Sequence, residues 1–235
     1  MQTTPFRFKQ FAVAQDKCAM KVNTDGVLLG AWAEVRDAKS ILDIGTGTGV
    51  IALLLAQKNL SASIDAIDID EDAVQQAEEN FKQSPWSNRL KTIHNSLQNF
   101  SSETKYDLII SNPPYFIDDY KTADKRKNTA KHSTALTFEE LMHGINLLLA
   151  DTGKVFLVIP VFNAQRLQAI AANENLWLTK QTEVMAVGGK PPYLALLQFE
   201  RVKQDVLYAS LTIKNAEGNF SDEYVELTRA FYLKF

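Results

Sequence analysis

Cysteine is nearly absent: Cys18 is the only one in 235 residues. That excludes an internal disulfide and any cysteine-based metal cluster, and a reducing compartment, the cytoplasm, is expected. Cys18 itself reads as a small buried hydrophobe. The three histidines, His94, His132 and His143, have no metal-ligand spacing, so no metal is implied. No stretch approaches eighteen consecutive apolar residues, and the first residues lack the apolar core of a secretory signal, so no membrane association is expected. An excess of positive charge is also missing. Lys and Arg number 25 against 28 Asp and Glu, a net charge of −3, so any attraction for phosphates must be local. There are no repeats, low-complexity tracts or Pro/Gly-rich linkers, which leaves one domain over residues 1–235.

What is present begins at residues 108–115. The apolar run Leu108-Ile109-Ile110 ends within two residues at Asn112-Pro113-Pro114-Tyr115. A strand cannot continue through two prolines, each of which lacks an N–H and fixes its own φ. The chain is thus expected to leave a buried strand holding an amide, two carbonyls and an aromatic ring rigidly at its C-terminal end. Open α/β sheets bind ligands there. The grouping points to chemistry on an exocyclic or amide nitrogen.

Around this motif strand and helix patterns alternate. Strands are predicted at Ser40–Ile44, Ser63–Ile67, Leu90–Ile93 and Tyr106–Ile110, with a helix over Val50–Lys58. Asp70 is placed to cap a further helix bearing Ala73, Val74, Ala77 and Phe81 on one face. Thr137 with Glu140 forms a capping-box pattern opening a helix whose Leu141, Ile145, Leu148 and Leu149 face the core, with Gly153 just past its end. Val155–Ile159 reads as a strand covered on both faces. A helix near Asn163–Asn173, strands near Trp177–Ala186 and Tyr193–Glu200, a strand over 205–214 and a helix over Tyr224–Tyr232 complete the series. The alternation predicts a doubly wound, mainly parallel sheet.

Asp43-Ile44-Gly45-Thr46-Gly47-Thr48-Gly49 falls between the first of these strands and its helix. Such a loop lets a ligand approach the backbone near a helix N-terminus, and could hold a dinucleotide. Two details weigh against that ligand. Val50 occupies the third glycine position of the dinucleotide fingerprint. Asp43 puts negative charge where a pyrophosphate would sit, but suits the ammonium of an amino acid; its alternative is a structural role. Asp68, nineteen residues beyond Gly49, sits where a carboxylate accepts ribose hydroxyls. S-Adenosylmethionine offers both an amino-acid tail and a ribose, without phosphate.

This D-x-G-x-G-x-G loop, followed by Asp68 and N-P-P-Y, resembles the class I S-adenosylmethionine-dependent methyltransferases. Members with N-P-P-Y or N-P-P-F methylate amino nitrogens of adenine, of guanine or of a glutamine amide. Phe8-Lys9-Gln10-Phe11, the run Met20-Lys21-Val22-Asn23-Thr24-Asp25-Gly26-Val27-Leu28-Leu29-Gly30-Ala31-Trp32, Gln83-Ser84-Pro85-Trp86 and Ala230-Phe231-Tyr232-Leu233 are similar to bacterial adenine-N6 methyltransferases of valine tRNA. Those enzymes modify the adenine 3′ of the anticodon.

The resemblance implies a Rossmann-like α/β fold, with a mostly parallel seven-stranded sheet and helices on both faces. Residues 40–200 would form its core, 1–39 an extension on the cofactor and substrate side, and 201–235 a closing strand and helix. It implies that Thr24 and Asp25 lie beside the cofactor, that Asp43, Gly45, Gly47 and Gly49 hold its methionine part, and that Asp68 holds its ribose, with Ile69 adjoining. Ser96 stands where the family usually has an Asp near the adenine ring, and the Leu97 backbone can serve that ring. Asn112, also near the cofactor, would accept one hydrogen of the target amino group and the Pro113 carbonyl the other. Pro114 stiffens the turn, and Tyr115 would stack on the base.

Lys121, Lys125, Arg126, Lys127 and Lys131 against Asp124 give residues 121–132 a formal charge of +4. With His132 they are expected to contact tRNA phosphates. A monomer with no obligate protein partner is expected. The same residues leave two competitors open: an amino-nitrogen methyltransferase of rRNA or of a glutamine amide, and an RNA-binding module without turnover.

Overall fold

The computed structural model describes residues 4–114 and 136–234. A short antiparallel hairpin, β1 (Phe6–Arg7) and β2 (Ala12–Val13), comes first, then α1 (Thr24–Trp32). The Asn23 side chain caps α1 by accepting the Gly26 N–H. The Lys58 ammonium donates to the carbonyls of Gly30, Ala31 and Ala33 at its other end, where positive charge suits the helix dipole. Then come β3 (Ser40–Ile44), α2 (Val50–Lys58), β4 (Ser63–Asp68), α3 (Glu71–Lys82), β5 (Leu90–His94) and β6 (Tyr106–Ser111). Asp70 caps α3 by accepting the Asp72 N–H.

Beyond residue 135 follow α4 (Phe138–Leu148), β7 (Leu149–Pro160), α5 (Ala164–Asn173), β8 (Trp177–Val187), β9 (Leu194–Glu200), β10 (Leu207–Lys214) and α6 (Asp222–Thr228). The Thr137–Glu140 capping box opens α4.

The large sheet has the order β10-β8-β9-β7-β6-β3-β4-β5. All neighbours pair in parallel except β9, which is antiparallel to both β7 and β8. Among the described residues it contains eight strands where seven are expected. β10 adds the eighth by pairing with β8 from Leu207–Lys180 to Lys214–Val187. Only its C-terminal half is buried, at Leu211 and Ile213, where α6 covers it.

Each central strand feeds two cores. Ile41 of β3 packs with α1 and α2, whereas Leu42 and Ile44 face α4 and α5. In β7, Phe156 and Val158 face the first core, and Val155, Leu157 and Ile159 the second. Burial on both faces explains why these strands read as unbroken apolar runs.

Two expected boundaries move. Gly153 does not follow α4 but lies inside β7, which begins at Leu149 directly after the helix. A Cβ there would sit 2.7 Å from Leu149 Cδ1 and 3.0 Å from the Tyr106 carbonyl, and the β6–β7 register shifts between Tyr106 and Leu108. The last helix spans Asp222–Thr228, not Tyr224–Tyr232. Ser221 caps it, and the chain beyond leaves to meet the N-terminal hairpin, with Lys9 N–H donating to Phe231 C=O and a bridge between Phe8 and Tyr232.

Candidate active site

The parallel strands end on one edge of the sheet. There the adjacent termini of β3, β4 and β6 bring the glycine loop, Asp68 and Asn112 together, although up to 67 residues separate them in sequence. The glycine loop is tied down by Gly45 and Thr46 N–H groups donating to the Ile67 carbonyl at 2.9 and 3.1 Å. Gly47 N–H donates to Asp68 Oδ2 at 2.8 Å, and Asp70 N–H to Asp68 Oδ1 at 3.0 Å. The Asp68 carboxylate is thereby fixed between the loop and the start of α3. Each oxygen keeps lone-pair capacity for a further donor.

A cleft of about 260 Å³ opens at this junction. Of the residues expected to form the site, Gly45, Gly47, Asp68, Ile69, Ser96, Leu97, Asn112 and Pro114 line it. Thr24, Asp25, Asp43, Gly49 and Pro113 do not. Tyr115, Lys121, Lys125, Arg126, Lys127, Lys131 and His132 lie outside the described residues. Gln98 and Leu136 contribute, and so do Cys18, Ala19 and Met20 of an N-terminal strap.

Nothing in the spacing of the strap residues advertises that role, because α3 supplies their anchorage. Asn80, buried on α3, accepts the Ala14 N–H at 2.8 Å and donates to the carbonyls of Ala14 and Thr48 at 2.9 and 2.8 Å. It therefore links strap, helix and glycine loop. Lys17 N–H donates to Gln76 Oε1 at 3.0 Å. Burial, with Asp68, Asp70, Asp72 and Asp16 nearby, pushes the Cys18 thiol up to about 12. It stays protonated at neutral pH and lines the cleft as an inert group.

Asp43 is fully buried behind the loop. Thr46 Oγ1 donates to its Oδ2 at 2.7 Å, while Oδ1 has no hydrogen-bond partner among the described residues. Burial, reinforced by Asp68, raises its pKa from 3.8 to about 7, against the opposing pull of the Thr46 hydroxyl and of the nearby Ala52 N–H dipole. Between those values the folded state holds a proton that the unfolded chain has lost. The contribution of Asp43 to the stability of the ligand-free protein should therefore be greatest below pH 4, fall as pH rises towards 7, and change little above that. The loss is at most about 4 kcal/mol. Asp43→Asn is expected to remove it. Thermal unfolding at pH 5 and pH 8 should show the variant gaining on the parent at the higher pH.

S-Adenosylmethionine fits the described part of this cleft. Open space borders Gly45 and Gly47, where no atom lies within 4 Å of an added Cβ, so a ligand can approach the backbone. Asp68 presents an anchored carboxylate to a diol. Ile69 is 56% exposed beside it, an apolar surface for a purine face, and His94 Nε2 donates to the Ile69 carbonyl at 3.0 Å. Ser96 and Leu97 follow β5 on the same side.

An open, mostly parallel sheet carrying this loop, this carboxylate and Asn-Pro-Pro at neighbouring strand ends is the arrangement of a class I S-adenosylmethionine-dependent methyltransferase. The fold is shared with a predicted O-methyltransferase from Agrobacterium tumefaciens, at a TM-score of 0.66 and 13% identity, covering 88% of this chain and 96% of that one. It is also shared with a ribosomal protein L11 methylase from Lactobacillus delbrueckii subsp. bulgaricus, at a TM-score of 0.56 and 19% identity, covering 80% and 83%.

The chain belongs to the methyltransferase small domain family, whose pattern matches residues 21–170. A tRNA1(Val) (adenine(37)-N6)-methyltransferase from Bacteroides fragilis strain YCH46 is 47% identical over 232 residues, spanning 97% of this chain and 98% of its own. One of the same description from Christiangramia forsetii is 42% identical over the whole of both chains.

Proposed function

We propose that this protein methylates N6 of adenine in the anticodon loop of valine tRNA, at the position 3′ of the anticodon, using S-adenosylmethionine. The observation that carries this reading is that Asn112 and Pro114 line the same cleft as Gly45, Gly47 and Asp68. Relatives described as acting on that adenine support the choice of substrate, with 42–47% identity along essentially the whole chain.

When bound, the cofactor supplies an electrophilic methyl group. Asp68 would hold its ribose hydroxyls, with Ile69, Ser96 and Leu97 around its adenine and Gly45 and Gly47 against its methionine part. The target amino nitrogen is a poor nucleophile because its lone pair is delocalised into the ring. In this reading Asn112 Oδ1 and the Pro113 carbonyl accept its two hydrogens, favour a tetrahedral nitrogen and stabilise the charge that develops there. The surplus proton leaves once that nitrogen is cationic and strongly acidic, so no histidine base is needed. Tyr115 stacks on the adenine, and an unpaired loop base costs little to turn outward.

Lys121, Lys125, Arg126, Lys127, Lys131 and His132 belong to the same reading as groups that neutralise phosphates. Replacing Lys125, Arg126 and Lys127 by alanine is expected to weaken tRNA binding and flatten its salt dependence by roughly 2–3 in log–log slope, since each neutralised phosphate accounts for about 0.7–0.9. Filter binding at salt concentrations of roughly 50 to 200 mM measures this, and an unchanged slope would remove the segment from the interface. The enzyme works as a monomer in the cytoplasm, where its substrate is found, without an obligate protein partner.

Labelled methyl offered with separate tRNA, rRNA and protein pools tests the reading. Label in tRNA supports it. Label in rRNA or in a protein amide would assign a different acceptor, and cofactor binding without transfer would leave only an RNA-binding module.

A further inference from the structure

A second cavity, of about 760 Å³, lies on the same edge of the sheet, where β8 ends at Val187 and β10 at Lys214. The N-terminal hairpin, the start of α1 and the C-terminal residues enclose it. Its described lining combines two properties. It carries three cations, Arg7, Lys214 and Lys234, and no carboxylate. Its walls are aromatic. Phe220 and Tyr224 stack at 5.3 Å between centroids with an 18° interplanar angle, Tyr224 lies 6.4 Å from Tyr232, and Phe6 meets Tyr232 edge-on at 6.2 Å.

Tyr193 is a fifth ring of the lining, and it and Phe220 reach solvent. Phe220 is 45% exposed, with Lys214 Nζ 5.4 Å from its centroid, and Tyr193 is 38% exposed. Solvent-accessible rings among cations are the elements of a single-strand nucleic-acid platform, where rings stack on bases and the cations follow the phosphates. The volume lies within the range of small-ligand pockets.

We infer that this cavity binds an unpaired nucleobase of the RNA substrate other than the one methylated, between Tyr193 and Phe220, with Lys214 and Arg7 on its flanking phosphates. Its position supports this assignment. β8 is three strand positions from β6, about 14 Å across the sheet, and the register sets Ser111 level with Gln181, so β8 runs on past the end of β6 to Val187. The two offsets together put the cavity roughly 20 Å from Asn112, the length of about six stacked nucleotides at about 3.4 Å each, so the site suits a loop or strand neighbour of the target. The inference rests on the tRNA reading above and adds a second point of attachment to it.

Tyr193→Ala and Phe220→Ala, singly and together, test the inference in the full chain, with Tyr193→Phe as the conservative control. The quantities to measure are tRNA affinity, KM and kcat for methyl transfer to tRNA, cofactor affinity and Tm. The double variant is expected to bind tRNA at least about tenfold more weakly, the factor associated with removing one base–aromatic stack. Its KM should rise in proportion, with kcat, cofactor affinity and Tm close to the parent and Tyr193→Phe near normal. Unchanged tRNA affinity and KM in a folded double variant would overturn the cavity's role while methylation by the parent upholds the tRNA reading. A parent enzyme that neither binds nor methylates tRNA would overturn both. If the double variant instead changes oligomeric state with tRNA binding intact, the cavity is a protein interface and the inference fails.

Discussion

Asn112→Ala is expected to slow methyl transfer by roughly 10²–10³-fold, the usual consequence of deleting one preorganised polar group at a developing charge. The loss should fall on kcat, because the amide acts on the amino nitrogen most strongly as that nitrogen becomes cationic. Cofactor affinity should change by no more than about threefold, since Asp68 and the glycine loop remain in place. Asn112→Asp keeps an acceptor at the same position and should lose less. Steady-state kinetics with calorimetric cofactor titration separates the two quantities. A rise in KM for RNA with kcat unchanged would make Asn112 a binding residue only.

The second large effect separates two neighbouring glycines. Gly49 has φ +79°, and a Cβ there would lie 2.5 Å from Phe81 Cε1 and 3.3 Å from Ala77 Cβ. Both partners are buried on α3, so the added methyl must push apart the packing of that helix against the loop. The left-handed backbone costs about 1–2 kcal/mol for any other residue. Overpacking adds about 1–3 kcal/mol. Gly49→Ala should therefore lose about 2–5 kcal/mol of stability, a fall in Tm on the order of 10 °C.

Gly47 also has positive φ, +55°, but faces open space at the cleft. Gly47→Ala should lose only about 1–2 kcal/mol for its backbone. Its larger effect is on the cofactor, which meets a methyl where it would approach the main chain, and affinity should fall by about tenfold or more, near 1.4 kcal/mol. Thermal unfolding and cofactor titration of both variants should give opposite orders. Equal destabilisation would mean that the loop yields at Gly49 as easily as at Gly47.

Features carried by short segments were legible in the sequence. The strands beginning at Ser40 and Tyr106, the α3 cap at Asp70 and the capping box at Thr137 each rest on a local pattern, and all are present. What stayed hidden depends on distant partners. α1 is apolar on nearly every side because it is wedged between α2 and the sheet, so it shows no helical period to read. Gly30 permits that wedge, since a Cβ there would lie 2.8 Å from Leu54 Cδ1.

The strap at Cys18–Met20 reaches the cleft through Asn80 and Gln76, about sixty residues away in sequence. Asp43 reads as a cofactor ligand by position, yet the surrounding fold buries it behind Thr46. β10 gains its place in the sheet only by pairing with β8. The chain end departs from α6 for the same kind of reason, its hydrogen bonds being satisfied by the N-terminal hairpin.

The most direct test of the account is nucleoside and fragment mass spectrometry of valine tRNA from cells lacking this gene, complemented with the parent or with Asn112→Ala. The account predicts N6-methyladenosine in the anticodon-loop fragment, 3′ of the anticodon, with the parent and its near absence with the variant. Unmodified adenine there with the parent present, or full modification with Asn112→Ala, would contradict it.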